Sequence, residues 1–356
     1  MKQPVKQTTV MAHILEDIQN GRYADGSRMP TEAEYSELFR VSRQTVRKAL
    51  AALEEQGVIR RVQGSGSYVN HPSQRRKKTG QIAVICTYIS EYIFPSILRG
   101  IEQVTKENDY QLLMNSTNNS IASERAILSK LRDNPPDGII VEGTKTALPN
   151  PNREFYHSLA ENGVPIVFIN SYYPDIVGDN VIHIVADDYS GGFTATQTLI
   201  RDGHRNICGI FKSDDTQGTN RYSGYMDAIV SAGLTVDPLL IRDVDANELC
   251  AETCAREMLS CPERPTALLC TNDTIAVGAM KAAMRMGLRI PEDVAVIGFD
   301  DSYVSRVIEP ELTTVRIDSL QMGKLAVEML FRLIDGEELS EWYIEMPTEL
   351  IVRGTT

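Results

Sequence analysis

No stretch of this 356-residue chain approaches the ~18 consecutive apolar residues that a membrane span needs. Met1 to Glu16 carries two lysines but no continuous apolar run of signal-peptide length. The expectation is a cytoplasmic protein without membrane contact. Histidine is scarce, at five residues, and none stands among the clustered cysteines at 250, 254, 261 and 270. The spacings of those cysteines match none of the paired-ligand zinc patterns, and Cys270 closes the apolar run Ala267-Leu268-Leu269 as a strand residue would. Thiols kept reduced in a cytosol are the simpler reading, and no metal is expected. Also missing are a Gly-rich phosphate loop, a G-x-S-x-G elbow and a metal-spaced His pair. His204, after Gly203 and ahead of a strand, reads as structural. Asp300-Asp301 could serve glycoside chemistry as paired carboxylates, but neighbours in sequence diverge in direction. Neither an enzyme nor a cofactor is expected.

What is present is ordinary globular material, 42% hydrophobic and 24% charged, enough to bury a core unaided. A length of 356 suggests two or three domains. The net charge of −12 argues against nucleic acid until it is divided. Residues 1–78 hold 14 Lys and Arg against 8 Asp and Glu, a net of +6, and the remainder 22 against 40, a net of −18. A small basic module on a large acidic one is the pattern of a DNA-binding head whose body repels the phosphate backbone.

Within residues 1–70 the spacing predicts three helices and a hairpin. Met11, Ile14, Leu15 and Ile18 form one apolar stripe that stops at Asn20-Gly21. Thr31 and Glu34 have capping-box spacing at the start of a second helix. Ser42 caps a third, whose core face is Val46, Leu50 and Leu53. Val58 to Val62 then meets the glycine-rich turn Gln63-Gly64-Ser65-Gly66-Ser67 before Tyr68-Val69. That order is a winged helix-turn-helix. Arg43 and Arg47 lie one turn apart, with Gln44 and Thr45 beside them, where arginine can bond guanine in the major groove. Thr31 and Ser42 sit at helix N-termini that favour phosphate. The turn glycines let a wing tip, with Gly66 and Ser67, approach a groove.

The segments Gly26-Ser27-Arg28-Met29-Pro30-Thr31-Glu32, Val41 to Leu50, Gly57-Val58-Ile59 and Gly64 to Val69 resemble the GntR-type signature in order and spacing. Ser27 departs from it slightly, where that family often has Pro or Gly. The resemblance implies base or phosphate contacts for Arg43 and Arg47 and wing contacts for Gln63 and Gly66. Residues 71–80, with four consecutive basic residues, read as an exposed linker.

From residue 81 to 356 short apolar strands alternate with amphipathic helices, which predicts parallel sheets with crossovers, two of them at this length. Strand candidates are Ile82–Cys86, Gln111–Met114, Gly138–Val141, Ile166–Ile169, Ile207–Phe211, Ala267–Cys270 and Val294–Gly298, with helices over residues 95–108, 123–131, 191–202 and 274–286. Ligands in such folds bind beyond the carboxyl ends of strands. There stand Tyr88, Tyr92, Glu142, Lys145, Gln217, Arg221, Asn272 and Asp300, groups suited to sugar hydroxyls. Each singly could be a cap or a surface residue; their convergence favours a cleft.

Gly203-His204-Arg205-Asn206-Ile207, Arg221 to Tyr225, Asn272 to Ala276, Pro291 to Asp301 and Leu312 to Val315 resemble the LacI-type effector domain, related to periplasmic sugar-binding proteins. The resemblance implies two subdomains crossed by three hinges, homodimerisation, and effector bonds from Arg221, Asn272 and Asp300. A GntR-type head on that body is similar to the arabinose-responsive repressors of Gram-positive bacteria, which implies operator DNA and L-arabinose as partners. Gly143 departs from that pattern, where Pro is expected. Another sugar, a purine or a sugar phosphate held by Lys145, Lys212 and Arg221 are the alternatives. A sugar-transport protein would not need the head.

Overall fold

A computed structural model describes residues 6–24, 26–62, 64–70, 78–90, 92–244 and 248–356. Gln63 and linker residues 71–77 lie outside the described residues. In the head, α1 (Lys6–Gln19), α2 (Glu32–Leu38) and α3 (Arg43–Glu55) precede the antiparallel hairpin of β1 (Ile59–Val62) and β2 (Gly66–Val69). Val10, Ile14 and Ile18 of α1 meet Val46, Leu50 and Leu53 of α3 in one small core closed by Ile59 and Val69. Thr31 and Glu34 make the full capping box, and Ser42 Oγ accepts from Thr45 N at 3.2 Å. The turn is shorter than the sequence suggests. Gly66 and Ser67 already pair with Val62 and Arg61, and Ser67 is buried rather than at the wing tip.

The rest forms two α/β subdomains. The first holds β3 (Gln81–Cys86), α4 (Phe94–Glu107), β4 (Gln111–Ser116), α5 (Ile121–Asp133), β5 (Gly138–Val141), α6 (Arg153–Glu161), β6 (Ile166–Ile169) and β7 (Val181–Ala186). The second holds α7 (Asp188–Arg201), β8 (Ile207–Phe211), α8 (Thr216–Ser231), β9 (Ile241–Asp243), α9 (Glu248–Leu259), β10 (Ala267–Cys270), α10 (Asp273–Arg285), β11 (Ala295–Asp300) and β12 (Thr313–Arg316). The chain returns to the first subdomain for α11 (Ser319–Ile334) and β13 (Tyr343–Met346), and ends in the second with β14 (Glu349–Ile351). It therefore crosses between them three times, near Asp187, Asp318 and Pro347.

The sheet orders are β13-β7-β6-β5-β3-β4 and β14-β12-β11-β10-β8-β9. All pairs are parallel except β14 against β12, where the last strand closes an edge. Strands of parallel sheets are buried on both faces, so β5, β6, β7, β8, β10 and β11 are buried along their whole length without alternation. No helix among the described residues is long and apolar enough to cross a membrane.

His183 of β7 is fully buried between Tyr172 and Phe168, its Nε2 3.0 Å from the Ile176 carbonyl. Burial lowers its pKa to about 4. The unfolded chain takes up a proton at this site below about 6.5, whereas the folded chain does not until about 4. Stability is therefore expected to fall across that window, by on the order of 3 kcal/mol. Denaturant midpoints at pH 7 and pH 4 measure it, and His183→Phe should flatten the slope.

Candidate functional site

The carboxyl ends of both sheets face each other across a cleft, and the loops there carry unusual backbone. Seven of nine described non-glycine residues with positive φ lie in it: Tyr92, Asn118, Asn119, Lys145, Asn170, Asp300 and Asp301. Such residues persist where the surroundings over-determine them, which singles out these loops as a site.

A cavity of about 100 Å³ sits between the subdomains. Thr87, Tyr88, Tyr92, Phe94 and Glu142 line it from the first, and Lys212, Asp215, Gln217, Arg221, Thr271, Asn272 and Thr274 from the second. Six of the eight residues expected from sequence thus meet there. Asp300 stands behind them, accepting from Arg221 Nη2 at 3.0 Å and from the Tyr92 hydroxyl. Lys145 is not on the wall; its ammonium lies 3.3 Å from Asp214. Thr87, Phe94, Lys212, Asp215, Thr271 and Thr274 complete the lining, and the signal in the sequence for Thr87, Lys212, Asp215 and Thr271 is their position just past strand ends. Tyr92 and Thr274 also border an open groove of about 1210 Å³ beside the hinge segments near Asp318 and Thr348.

Arg221 is the hub of the second subdomain. Its Nε donates to Asp188 at 2.8 Å, Nη1 donates to the Thr271 carbonyl, and the guanidinium lies 3.7 Å over the Phe299 ring. This convergence depends on close packing of α7 on α8. A Cβ on Gly192 would stand 2.3 Å from the Arg221 carbonyl oxygen, so only glycine lets the helices approach and brings Asp188 to Arg221. Burial pushes the Asp188 and Asp300 carboxyls up, and Arg221 opposes it at Asp188.

The other charges are also paired. Burial would lower the Lys212 ammonium, but Asp215, at 2.5 Å, and Asp214 hold it above its usual range. Asp215 in turn caps α8, accepting from Gly218 N at 2.8 Å. Burial raises Glu142, and bonds from Thr87 N at 3.0 Å and Asn170 Nδ2 at 2.8 Å resist that. Asn272 caps α10 through Oδ1, accepting from Ile275 N at 2.9 Å, which leaves its Nδ2 as the group available to the cavity. Among the described residues no group of three or more His, Cys, Asp or Glu could hold a metal ion.

On the head, Ser42, Arg43, Gln44 and Arg47 are exposed along α3. Glu32 accepts three bonds from Arg47, at 2.8, 3.0 and 3.1 Å, and one from Arg61 Nη2 at 2.9 Å. It thus orients one arginine of α3 beside one of the wing. Arg43 makes no hydrogen bond or ion pair to the described residues. Thr45 is half-buried with its hydroxyl 2.9 Å from that of Ser42, and Thr31 is exposed at the N-terminus of α2.

Comparison with known proteins matches residues 6–69 to the bacterial regulatory proteins of the gntR family and residues 196–356 to a periplasmic binding protein-like domain. The arabinose metabolism transcriptional repressor of Geobacillus stearothermophilus is 38% identical over 99% of this chain and 97% of its own length. That of Halalkalibacterium halodurans is 34% identical over 99% and 96%. A transcriptional regulator CelR-cellobiose complex superposes with a TM-score of 0.70 at 25% identity, over 92% of this chain and all of that one.

Proposed function

This chain belongs to the family of gntR-headed transcriptional regulators that includes those two arabinose metabolism repressors, and we propose that it is a cytoplasmic homodimeric repressor released from operator DNA by L-arabinose. It acts by binding rather than catalysis, as its relatives do. In this reading residues 1–70 are the DNA-binding head, 71–80 a linker, and 81–356 the effector and dimerisation domain. Paired heads match the two half-sites of a two-fold operator. The effector closes the cleft and alters the spacing of the heads. Coupling is reciprocal, so DNA weakens sugar binding by the factor by which sugar weakens DNA binding, typically ~5–150-fold.

The observation that carries a neutral sugar is the charge pairing around the cavity. Lys145, Lys212 and Arg221, the cations that could hold a phosphate, are each engaged by Asp214, by Asp214 with Asp215, and by Asp188 with Asp300. Glu142 adds a further carboxyl. Among the described residues no cation lining the cavity is left to balance an anion, whereas the donors and acceptors of Gln217, Asn272, Glu142 and Tyr88 suit hydroxyls. The volume favours a monosaccharide over anything larger.

Calorimetric titration of the full chain tests this. Saturable heat is expected from L-arabinose, with none from L-arabinose 5-phosphate and no competition by it. Heat from the phosphate would overturn the neutral class. Heat only from another neutral sugar would keep the regulator and discard arabinose.

A further inference from the structure

Beside the cavity, five polar contacts cross the cleft between the subdomains. Thr216 N donates to Thr146 Oγ1 at 3.0 Å, and the hydroxyls of Thr146 and Thr216 are 3.2 Å apart. Ala147 N donates to the Asp214 carbonyl at 3.2 Å. Asn119 Nδ2 donates to Asp214 Oδ2 at 3.2 Å, and Lys145 Nζ lies 3.3 Å from the same oxygen. None of Asn119, Lys145, Thr146, Ala147, Asp214 or Thr216 lines the cavity.

The loop that offers these groups is braced from its own side. Fully buried Glu124 accepts from Thr144 N at 3.3 Å, from Tyr156 OH at 2.9 Å and from Asn152 Nδ2 at 2.8 Å, and Tyr173 OH donates to the Thr144 carbonyl at 2.6 Å. Gly143 leaves room for the Thr146 side chain to fold back, since a Cβ there would lie 2.4 Å from Thr146 Cγ2. The partner surface is the first turn of α8, whose Thr216 N–H has no acceptor within its own helix. That turn continues directly into Gln217 and Arg221, which line the cavity.

We propose that Thr146 is a positioning residue: with Asn119 and Lys145 it latches the first turn of α8, holds the subdomains closed, and so sets effector affinity without touching the effector. Bonds made only in the closed arrangement raise its population, and apparent affinity scales with the fraction of molecules already competent to bind. The braced loop keeps its shape, so the bonds form or break as the subdomains move. This proposal rests on the cleft being the effector site, but the latch itself can be read without an effector.

The test compares full-length wild type with Thr146→Val, which keeps the volume and loses the hydroxyl, and with Thr146→Ser, which restores it. Amide exchange is followed in a peptide spanning residues 212–218 with no ligand present. Thr146→Val is expected to speed exchange at Thr216 about tenfold and to weaken the L-arabinose Kd by about tenfold, with Thr146→Ser near wild type in both. Operator affinity without sugar should not fall, because the latch favours the same closed arrangement that the effector favours. Wild-type exchange and Kd in Thr146→Val, or failure of the Ser variant to restore them, would overturn the latch. If Thr146→Val does not fold, Asn119→Gly, which keeps the left-handed backbone, reads the same two quantities through Asp214, with about two- to threefold changes expected and none overturning the proposal. Absence of heat from L-arabinose with wild type would count against that effector alone, and the exchange measurement would still decide the latch.

Discussion

Arg221→Ala is expected to abolish the response to effector and to cost the second subdomain about 3–5 kcal/mol of stability, because it strands two buried carboxylates. Asp188 and Asp300 both bond this guanidinium, and burial disfavours the charged form of each. Thr271 also loses the donor to its carbonyl, and Phe299 its cation. Lysine at 221 offers a point charge in place of a planar fork and cannot reach all of these partners, so Arg221→Lys should recover only part of the loss. The head has its own core, so operator binding should survive at temperatures where the variant remains folded. Denaturant melts followed by sugar titration separate the two effects. Asn272→Ala is the milder comparison: it removes one cap and one cavity donor, for about 1 kcal/mol of stability, and should weaken the sugar without unfolding the subdomain. An Arg221→Ala protein that is fully stable and still released from operator by sugar would contradict the hub.

On the DNA side, Arg43→Ala should lower operator affinity by about 1–3 kcal/mol, roughly 5–150-fold, and relax discrimination at one base pair of each half-site. Arg43 is exposed on the first turn of α3 with no ion pair to restrain it. Arg47→Ala should lose as much and in addition release Glu32, whose carboxylate then faces DNA with Arg61 as its remaining partner. Glu32→Gln in the Arg47→Ala background removes that charge and should recover part of the affinity. Neither single arginine variant should melt the head, since exposed ion pairs contribute only ~0–1 kcal/mol. Equal operator affinity of wild type and both variants would sink the assignment of α3 as the reading helix.

The head was legible because its signals are local. A capping box at Thr31 and Glu34, an N-cap at Ser42 and an apolar stripe through Ile14 and Ile18 each need only a few neighbouring residues. The buried strands β5, β6, β8 and β10 were equally plain, since a continuous apolar run between loops has few other fates. Edge strands were harder. β13 and β14 are three or four residues long and half exposed, so neither run length nor alternation marks them. For β7, the buried His183 interrupts an otherwise apolar run. At the cleft, position past a strand end selected the neighbourhood of most lining residues, but it could not tell which charges would pair. Arg221 meets Asp188 and Asp300 across 33 and 79 residues of chain, and Lys145 meets Asp214 across the cleft. Those pairings occupy the cations that could have held a phosphate, which is the support for the proposed neutral effector.

The most direct test is fluorescence anisotropy of a labelled duplex carrying the site that the full-length chain selects from random DNA. Anisotropy should fall as L-arabinose is added and stay high with L-arabinose 5-phosphate. A complex that no neutral sugar dissociates, or one that only the phosphate dissociates, would contradict a regulator gated by an uncharged sugar in this cleft.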